Sequence, residues 1–256
     1  MRKQDVLRMK DTQAAWLAPP ESLALKSDEV HVWRASLEMP PSQVSTLKQI
    51  LSADEISRAG RFHFQKDQDH FVVARGLLRT ILGRYVGRNP EDLRFCYGLN
   101  GKPSLTGETE EKIRFNVSHS YGLSLFAVTL NRDTGVDLEY IRSDLSVGDL
   151  AAQFLSPREL LAFKAVPERD RPRAFFAQWT RKEAYLKAQG RGLSGNLKQL
   201  EVPPGECPEI NGSSKAESLW LLMDLAVPPG YAAALVVEGH DLRLKCWQWA
   251  NANPDW

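Results

Sequence analysis

Cysteine and histidine are sparse in this sequence and form no metal-binding or disulfide pattern. The three cysteines (Cys96, Cys207 and Cys246) lie far apart and are odd in number, which argues against a disulfide framework and against a C-x-x-C zinc site. The five histidines are scattered, and no H-E-x-x-H motif occurs. These absences exclude a small disulfide-bonded scaffold and the common zinc-hydrolase signature.

The chain also lacks long apolar runs and a large net charge. No apolar stretch approaches the ~20 residues of a transmembrane helix, and residues 1–16 are charged and lack the apolar core of a signal peptide. The formal net charge of +1 argues against nucleic-acid binding through overall charge. We therefore expect a cytoplasmic protein whose partner is neither a membrane nor a nucleic acid.

Several nucleotide-binding and nucleophile motifs are absent or misplaced. Walker A and G-x-S-x-G do not occur, and Ser118-His119-Ser120 places serine beside histidine, whereas catalytic serine–histidine pairs meet through the fold. The segment Gly190-Arg191-Gly192-Leu193-Ser194-Gly195 matches G-x-G-x-x-G. The dinucleotide fingerprint needs a strand before it and a helix after it, but a predicted helix precedes this segment. We interpret it as a helix end followed by a turn.

The pattern of apolar and turn-forming residues predicts an α+β protein. Helices are predicted to begin at Ser52 and Ser156, to cover 69–86 with a stop at Gly87, and to run from near Pro172 to Gln189. Strands are predicted over 30–37, 94–97, 113–117, 123–130, 136–141, 219–225, 231–237 and 242–249. Residues 131–135 are predicted to turn between two of these strands and make a hairpin. Strands and helices cluster rather than alternate, which favours α+β over a doubly wound sheet.

Two acidic segments suggest chemistry on a phosphate. Asp137 and Glu139 stand at i and i+2 on a predicted strand, and Glu183 and Lys187 stand at i and i+4 on a predicted helix, so each pair shares one face. Carboxylate oxygens are ligands that magnesium accepts. The spacing also fits an exposed strand face and an i,i+4 ion pair worth about 0.2–0.5 kcal/mol. Spacing alone leaves both interpretations open.

Taken together and in order, four segments resemble the Sfp-type 4′-phosphopantetheinyl transferases. They are Asn100-Gly101-Lys102-Pro103, Phe115-Asn116-Val117-Ser118-His119-Ser120, Gly135-Val136-Asp137-Leu138-Glu139 and Trp179-Thr180-Arg181-Lys182-Glu183-Ala184-Tyr185-Leu186-Lys187, with Gly190-Arg191-Gly192-Leu193 behind the last. The basic stretch from Arg58 to Arg79 resembles the family's basic helical region less specifically. The segment around Glu183 is the most specific of the set.

The resemblance implies two similar α+β halves related by pseudo-twofold symmetry, with the active site in the cleft between them. The expected halves are residues 1–133 and 134–256, and the chain is expected to act as a monomer. The implied reaction is that of a holo-[acyl-carrier-protein] synthase type enzyme. It moves the phosphopantetheine arm of coenzyme A to a serine of an apo acyl or peptidyl carrier protein and releases adenosine 3′,5′-bisphosphate. Fatty-acid, polyketide and peptide-synthetase carriers all fit.

The resemblance also assigns roles to residues. Asp137, Glu139 and Glu183 are expected to hold magnesium, with manganese as an alternative because both accept oxygen ligands. Glu183, directly or through a water, is the candidate base, and Lys187 is expected to steady phosphate charge; with Asp137 these are the catalytic candidates. The residues expected to bind coenzyme A are Arg58, Arg75, Lys102, Pro103, Ser118, His119, Lys182 and Lys187. Arg61 and Arg79 are further candidates for its 3′-phosphate, although Arg75 and Arg79 equally fit solvated helix charges.

The carrier protein is expected to dock on a basic surface, because carrier domains are typically acidic around the modified serine. Residues 158–198 hold ten Lys and Arg against four Asp and Glu, although an ordinary solvated helix surface gives the same excess. Two other functions remain open from the sequence. One is a magnesium-dependent nucleotide or coenzyme A hydrolase, and the other is a non-catalytic module that binds carrier proteins.

Overall fold

The computed structural model describes residues 15–98, 100–107, 112–142, 144–190, 197–201, 209–211 and 219–250. Cys207 and the glycine-rich turn after Gly190 lie outside the described residues, as does the segment 1–14. The described part combines helices and strands in separate clusters, which confirms the predicted α+β class.

Six α-helices and eleven strands form the framework of the described part of the chain. The helices are α1 (Pro41–Gln49), α2 (Ala53–Ala59), α3 (Gln65–Val86), α4 (Val147–Phe154), α5 (Pro157–Ala165) and α6 (Arg171–Gln189). The strands are β1 (Trp16–Leu17), β2 (Glu29–Ser36), β3 (Phe95–Tyr97), β4 (Pro103–Leu105), β5 (Ile113–Ser120), β6 (Leu123–Leu130), β7 (Thr134–Tyr140), β8 (Glu209–Asn211), β9 (Leu219–Asp224), β10 (Tyr231–Glu238) and β11 (Arg243–Gln248).

The first sheet has the order β1-β11-β2-β6-β5, and helix α3 covers one of its faces. Apolar residues of α3 recur at helical spacing, and Val73, Leu77 and Ile81 pack with Trp33 and Phe126 of the sheet. The helix ends at Gly87, whose φ of 63° is the left-handed conformation of a C-terminal cap. This confirms the stop predicted from the sequence.

The second sheet has the order β7-β10-β9-β8 and lies under helix α6. The other face of this sheet packs on the first one, because Val136 and Leu235 share a buried cluster with Val32 and Ala127. Helix α6 ends at Gly190, which also has a positive φ, 68°. The core between the two sheets therefore joins the two parts of the molecule.

The predicted hairpin across residues 131–135 is wrong. Strand β6 pairs with β2 and β5 in the first sheet, whereas β7 pairs with β10 in the second. The reason is burial: residues 134–138 are all buried, so β7 needs cover on both faces, which a terminal hairpin does not provide. The hairpin of this region joins β5 to β6 through Tyr121 and Gly122, both at positive φ as in a tight two-residue turn.

The last strand returns to the first sheet. β11 pairs in parallel with β2 and with β1, so the first sheet contains residues from both ends of the chain. The passage between sheets falls between β6 and β7, while the division into halves at residues 133 and 134 stays a prediction. None of the helices in the described ranges combines the length and apolar character that crossing a bilayer demands.

Candidate active site between the two sheets

Side chains of β5 hold the edge of β7, where a backbone ladder would otherwise run. Alternate side chains of a strand point to one side, so Asn116, Ser118 and Ser120 all face β7. Each accepts a hydrogen bond from a β7 backbone amide. The bonds run from Val136 N to Asn116 Oδ1 (2.9 Å), from Leu138 N to Ser118 Oγ (3.2 Å) and from Tyr140 N to Ser120 Oγ (3.0 Å). We call this row of three bonds the seam.

Gly135 lets helix α6 lie directly on β7. A Cβ atom at this position would come closer than 3 Å to the backbone O of Ala184 and the backbone N of Ala188, and would lie 3.0 Å from Ala188 Cα. Only glycine allows backbone to approach backbone so closely. The contact brings the helix that carries Glu183 and Lys187 against the strand that carries Asp137.

Asp137 and Lys187 form the centre of the site. The Lys187 ammonium donates to Asp137 Oδ1 at 2.6 Å, to Ser118 Oγ at 2.9 Å and to the Val136 carbonyl at 3.3 Å. Ser118 in turn donates its hydroxyl hydrogen to Asp137 Oδ1 at 3.0 Å. Asp137 is buried, whereas the side chain of Lys187 is 29% exposed. The ammonium therefore fixes the carboxylate and still reaches the cleft.

Three carboxylates crowd one another here. Burial, and next the charge of Asp137, raise the pKa of Glu183 to about 7; Glu139 raises it further and Lys187 lowers it. Burial and Asp137 likewise raise the pKa of Glu139, although the Ser120 hydroxyl donates to its Oε2 at 3.2 Å. The mutual repulsion is what carboxylates of the strand pair and of the helix produce when they lie near one another. A cation between them would relieve it.

The donor set fits a hard divalent cation. In the described part of the chain no three His, Cys, Asp or Glu side chains stand in the arrangement of a formed metal centre, so the fit rests on donor chemistry. Asp137 Oδ2 and Glu183 Oε1 are buried oxygens without a hydrogen-bond partner, although buried polar atoms are almost always satisfied. Carboxylate oxygens suit magnesium or manganese. Asp137, Glu139 and Glu183 are the residues that can hold such an ion.

Lys182 does not reach the site. Its side chain is fully buried, and its ammonium lies 2.6 Å from Glu159 Oε2 and donates to the carbonyls of Phe154 (3.2 Å) and Leu197 (2.7 Å). These acceptors use all three ammonium hydrogens. The expected phosphate contact of Lys182 is therefore replaced by a structural role that ties α6 to α5 and to the segment after α6.

Arg75 and Arg79 are held by internal partners as well. Both guanidinium groups pair with the buried carboxylate of Glu55, Arg79 at 2.7 Å. Arg75 also donates to the Tyr97 hydroxyl at 2.8 Å, and Arg79 donates to the carbonyl of Leu93 at 3.1 Å. Arg79 is buried among these partners and is not open to a ligand. Arg58 and Arg75 both line a cavity of about 190 Å³, so their contact with coenzyme A stays a prediction.

Lys102 joins the loop before β4 to the end of α6. Its ammonium donates to the carbonyls of Thr134 (3.0 Å), Lys187 (2.8 Å) and Ala188 (3.1 Å), and burial lowers its pKa to about 8. The side chain thus caps the last turn of the helix that carries Lys187. Lys102 and Pro103 also line a cavity of about 330 Å³ at this end of the cleft.

Ser118 and His119 do not face one ligand together. Neighbouring residues of a strand point to opposite sides, and Ser118 points to β7. His119 is an exposed residue, yet the surrounding protein desolvates its imidazole and lowers its pKa, and the charges of Lys187 and His70 lower it further. An anion near His119 would reverse this effect. His119 stays a predicted phosphate contact, while Ser118 is committed to the seam.

A second cavity opens on the other side of Glu139. It measures about 400 Å³, and its lining residues include Tyr121, Tyr140, Phe154 and Trp179. The rings of Tyr121 and Tyr140 stack there with centroids 4.4 Å apart. Trp179 belongs to an apolar stripe of α6 at helical spacing, which is typical of core packing. It packs against the core and also lines this cavity. The aromatic lining could not be predicted from the sequence, because its residues come from four separate segments of the chain.

The sequence did not reveal which residues position the strand and helix that carry the candidate catalytic side chains. Asn116, Ser120 and Gly135 were quoted in the motifs without a role. A signal was present, because three polar side chains alternate along a strand that has one buried apolar face, and alternation usually means a water-facing side. Here it marks the seam instead.

Known proteins with similar sequences identify the family. A model described as the 4′-phosphopantetheinyl transferase superfamily matches residues 133–236, and one described as the N-terminal part of such a transferase matches residues 33–130. The chain is 39% identical over 238 residues to the 4′-phosphopantetheinyl transferase HetI of Nostoc sp., which covers 93% of this chain and 99% of that protein. It is 27% identical over 203 residues to a 4′-phosphopantetheinyl transferase of Bacillus subtilis (75% and 88% covered) and 24% identical over 186 residues to the transferase Sfp of Bacillus subtilis strain 168 (72% and 81%). With the three acidic residues and Lys187 converging as described, the chain belongs to the 4′-phosphopantetheinyl transferase family, in its Sfp-like type.

Proposed function

We propose that this transferase moves the 4′-phosphopantetheine arm of coenzyme A to a serine of an apo carrier protein at a magnesium site formed by Asp137, Glu139 and Glu183. The observation that carries the proposal is the pair of buried oxygens without a hydrogen-bond partner, Asp137 Oδ2 and Glu183 Oε1. The charges of these two carboxylates act on one another, and Lys187 pairs with Asp137. A bound magnesium ion would supply positive charge to the phosphate oxygens of coenzyme A.

The bonds that form and break in the transfer reaction determine which roles the side chains of the site must fill. The serine oxygen of the carrier forms a bond to the β-phosphorus of coenzyme A, and the bond from that phosphorus to the bridging oxygen breaks. Adenosine 3′,5′-bisphosphate leaves with that oxygen, and the serine proton passes to a base. Catalysis of this kind is mainly alignment and charge stabilisation.

Glu183 is the base candidate within this frame. Burial and its neighbouring carboxylates raise its pKa to about 7, and a base works best when its pKa lies near the operating pH. It stands one helical turn before Lys187, on the face of α6 that meets β7. Its unpartnered Oε1 is free to accept a hydrogen bond from the incoming serine or to bind the cation.

Lys187 is suited to hold phosphate charge. Its three donors go to Asp137, Ser118 and the Val136 carbonyl, and the last of these bonds is the longest at 3.3 Å. A phosphate oxygen can take over that donor while the two short bonds keep the ammonium in place. An ammonium held in this way stabilises charge that grows on the leaving phosphate without first having to move.

The two cavities divide the coenzyme between them. The cavity near Lys102 and Pro103 has polar and apolar side chains in its lining and suits the nucleotide. The aromatic cavity includes Glu139 and suits the gem-dimethyl end of pantetheine. This division places the pyrophosphate at the carboxylates. Because both cavities are built by one chain, we propose a monomer, and because coenzyme A is an intracellular metabolite, we propose a cytoplasmic location.

The carrier is proposed to dock on helix α5. Arg158 is 87% exposed and Leu161 is 73% exposed on this helix, with Lys164 nearly two turns beyond Arg158. An apolar side chain between two cations fits the apolar and acidic surface of a carrier domain. Charge reversal by Arg158→Glu or Lys164→Glu is expected to raise the KM for carrier about tenfold and leave the KM for coenzyme A unchanged. Equal effects on both substrates would contradict this docking surface.

The decisive experiment weighs the carrier. The purified chain is incubated with coenzyme A, magnesium and an apo carrier, and mass spectrometry follows the carrier. Transfer adds one phosphopantetheine to the carrier. Cleavage of coenzyme A without carrier modification would indicate a hydrolase, and no reaction with any carrier class would indicate a binding module. Glu183→Gln is expected to keep the fold and to abolish transfer, and normal transfer in that variant would contradict its assigned role.

A further inference from the structure

We propose that Ser118 and Ser120 are positioning residues that orient Asp137 and Glu139 for the cation, and that neither serine donates its hydroxyl hydrogen to a phosphate of coenzyme A. The inference rests on the proposed metal site and adds a role for residues that the reaction itself does not use. It follows from how the hydrogen-bonding capacity of each hydroxyl is spent.

The hydroxyl of Ser118 has no capacity left for a phosphate. A serine hydroxyl donates one hydrogen bond and accepts two. Ser118 donates to Asp137 Oδ1 at 3.0 Å and accepts from Leu138 N at 3.2 Å and from Lys187 Nζ at 2.9 Å. The residue is also buried. A phosphate could reach this hydroxyl only after the contacts that hold Asp137 had broken.

Ser120 repeats the arrangement two residues later. It donates to Glu139 Oε2 at 3.2 Å and accepts from Tyr140 N at 3.0 Å. In both cases the serine accepts from the amide that follows an acidic residue and donates to the carboxylate of that residue. Each hydroxyl thereby fixes the direction of one carboxylate relative to the backbone of β7. Because the hydroxyl occupies one oxygen, the other oxygen is turned away from β5, and in Asp137 it is the unpartnered Oδ2.

Asn116 allows the effect of bonding to a β7 amide to be distinguished from the effect of orienting a carboxylate. It accepts from Val136 N at 2.9 Å, as the serines do from the amides further along. The residue before Val136 is Gly135, so this bond has no carboxylate beside it. Asn116 therefore supports the strand edge without touching an acidic group, which makes it an internal control for the two serines.

The physical effect of losing a serine is loss of orientation at a carboxylate. Asp137 and Glu139 lie at i and i+2 of β7 and each is held by one serine, so a carboxylate that loses its serine is free to adopt other rotamers. Removing a group that orients a metal ligand typically weakens metal binding by about 10–100-fold. The affinity for the cation is therefore expected to decrease directly, and the affinity for coenzyme A only as a consequence of weaker cation binding.

The test measures Mn²⁺ binding by electron paramagnetic resonance on the full chain, without coenzyme A or carrier. Ser118→Ala and Ser120→Ala are each expected to weaken Mn²⁺ binding about tenfold, and Asn116→Ala is expected to change it by less than about twofold. Ser120→Thr keeps the hydroxyl and is expected to bind Mn²⁺ like the unmodified chain. Circular dichroism checks each fold; if Ser118→Ala does not fold, Ser120 alone decides, because its site is less buried.

Three other outcomes of these measurements would contradict either the positioning role of the serines or the proposed metal site. If the alanine variants bind Mn²⁺ normally but have a raised KM for coenzyme A, the serines are phosphate ligands and the inference is wrong. If Asn116→Ala weakens Mn²⁺ binding as much as the serine variants do, the seam alone matters and the inference is again wrong. If the unmodified chain binds no Mn²⁺, or if Asp137→Asn binds Mn²⁺ as tightly as the unmodified chain does, the proposed metal site itself is wrong.

Discussion

Replacing Gly135 by alanine is expected to damage catalysis more than folding. The new methyl group would collide with the backbone of Ala184 and Ala188 on α6. Backbone atoms within a helix cannot turn aside as a flexible side chain can, so β7 and α6 must separate. Restoring ordinary contact requires a separation of about 1 Å, and misplacement of that size costs roughly 100-fold in rate.

The same displacement acts on the bonds at the centre of the site. Lys187 Nζ lies 2.6 Å from Asp137 Oδ1, and an added ångström removes this pair from hydrogen-bonding range. Glu183 moves with the helix, away from the cation that Asp137 and Glu139 would share. Overpacking of this kind typically destabilises a protein by about 1–3 kcal/mol. For a chain of this size that lowers Tm by about 2–4 °C for each kcal/mol.

Gly148→Ala is the matched control. Gly148 lies in the first turn of α4, and nothing comes within 4 Å of a Cβ atom placed there. Alanine favours the helix by about 1 kcal/mol relative to glycine, so this variant is expected to be as active as the unmodified chain and slightly more stable. Transfer to the carrier is measured by mass spectrometry, and unfolding by circular dichroism. A Gly135→Ala protein with full activity and an unchanged Tm would refute the argument.

Three further predictions concern buried charged groups. Lys182→Met leaves Glu159 buried without its cation, so urea unfolding is expected to show a stability about 3–5 kcal/mol lower; an unchanged midpoint would contradict the structural role of this lysine. Lys102→Met leaves three carbonyls at the end of α6 and the start of β7 without their donor and is expected to cost about 1–3 kcal/mol in the same assay. His31 is buried, and burial lowers its pKa to about 4, against about 6.5 in an unfolded chain. Between these two pKa values the unfolded chain binds a proton that the folded chain does not. The free energy of unfolding is therefore expected to decrease as the pH is lowered, by up to about 1.4 kcal/mol per pH unit. Urea titrations from pH 7 to 4.5 should show this slope, and it should flatten in His31→Gln; equal slopes in both proteins would contradict it.

Local signals in the sequence predicted the long helices correctly, because their ends depend on single residues. Gly87 and Gly190 adopt the left-handed cap conformation that stops α3 and α6. The hairpin at residues 131–135 was predicted wrongly because strand pairing depends on distant sequence. Residues 134–140 pair with β10, and nothing in the turn itself reveals that partner.

Among the site residues, too, those set by local sequence could be predicted and those set by distant partners could not. Asp137, Glu139 and Glu183 could be named from spacing and family resemblance, since periodicity decides which face of a strand or helix they share. Lys182 was expected to bind coenzyme A, but neighbouring residues of a helix point in different directions, and the partners of Lys182 are Glu159 and two carbonyls. The internal pairing of Arg75 with Glu55 could not be predicted, because the carboxylate comes from another helix.

The seam explains how two sheets can share one site. The amides of β7 need acceptors on the edge that faces β5, since its other edge pairs with β10. A backbone ladder would satisfy them but would merge the sheets at a spacing of about 4.8 Å. Serine and asparagine side chains are longer acceptors, so they satisfy the amides while the sheets remain separate. The two serines also reach the carboxylates, whereas Asn116 has only Gly135 beside it. At the proposed metal site we therefore expect stability and metal affinity to be coupled at residues 118 and 120 and separable at residue 116.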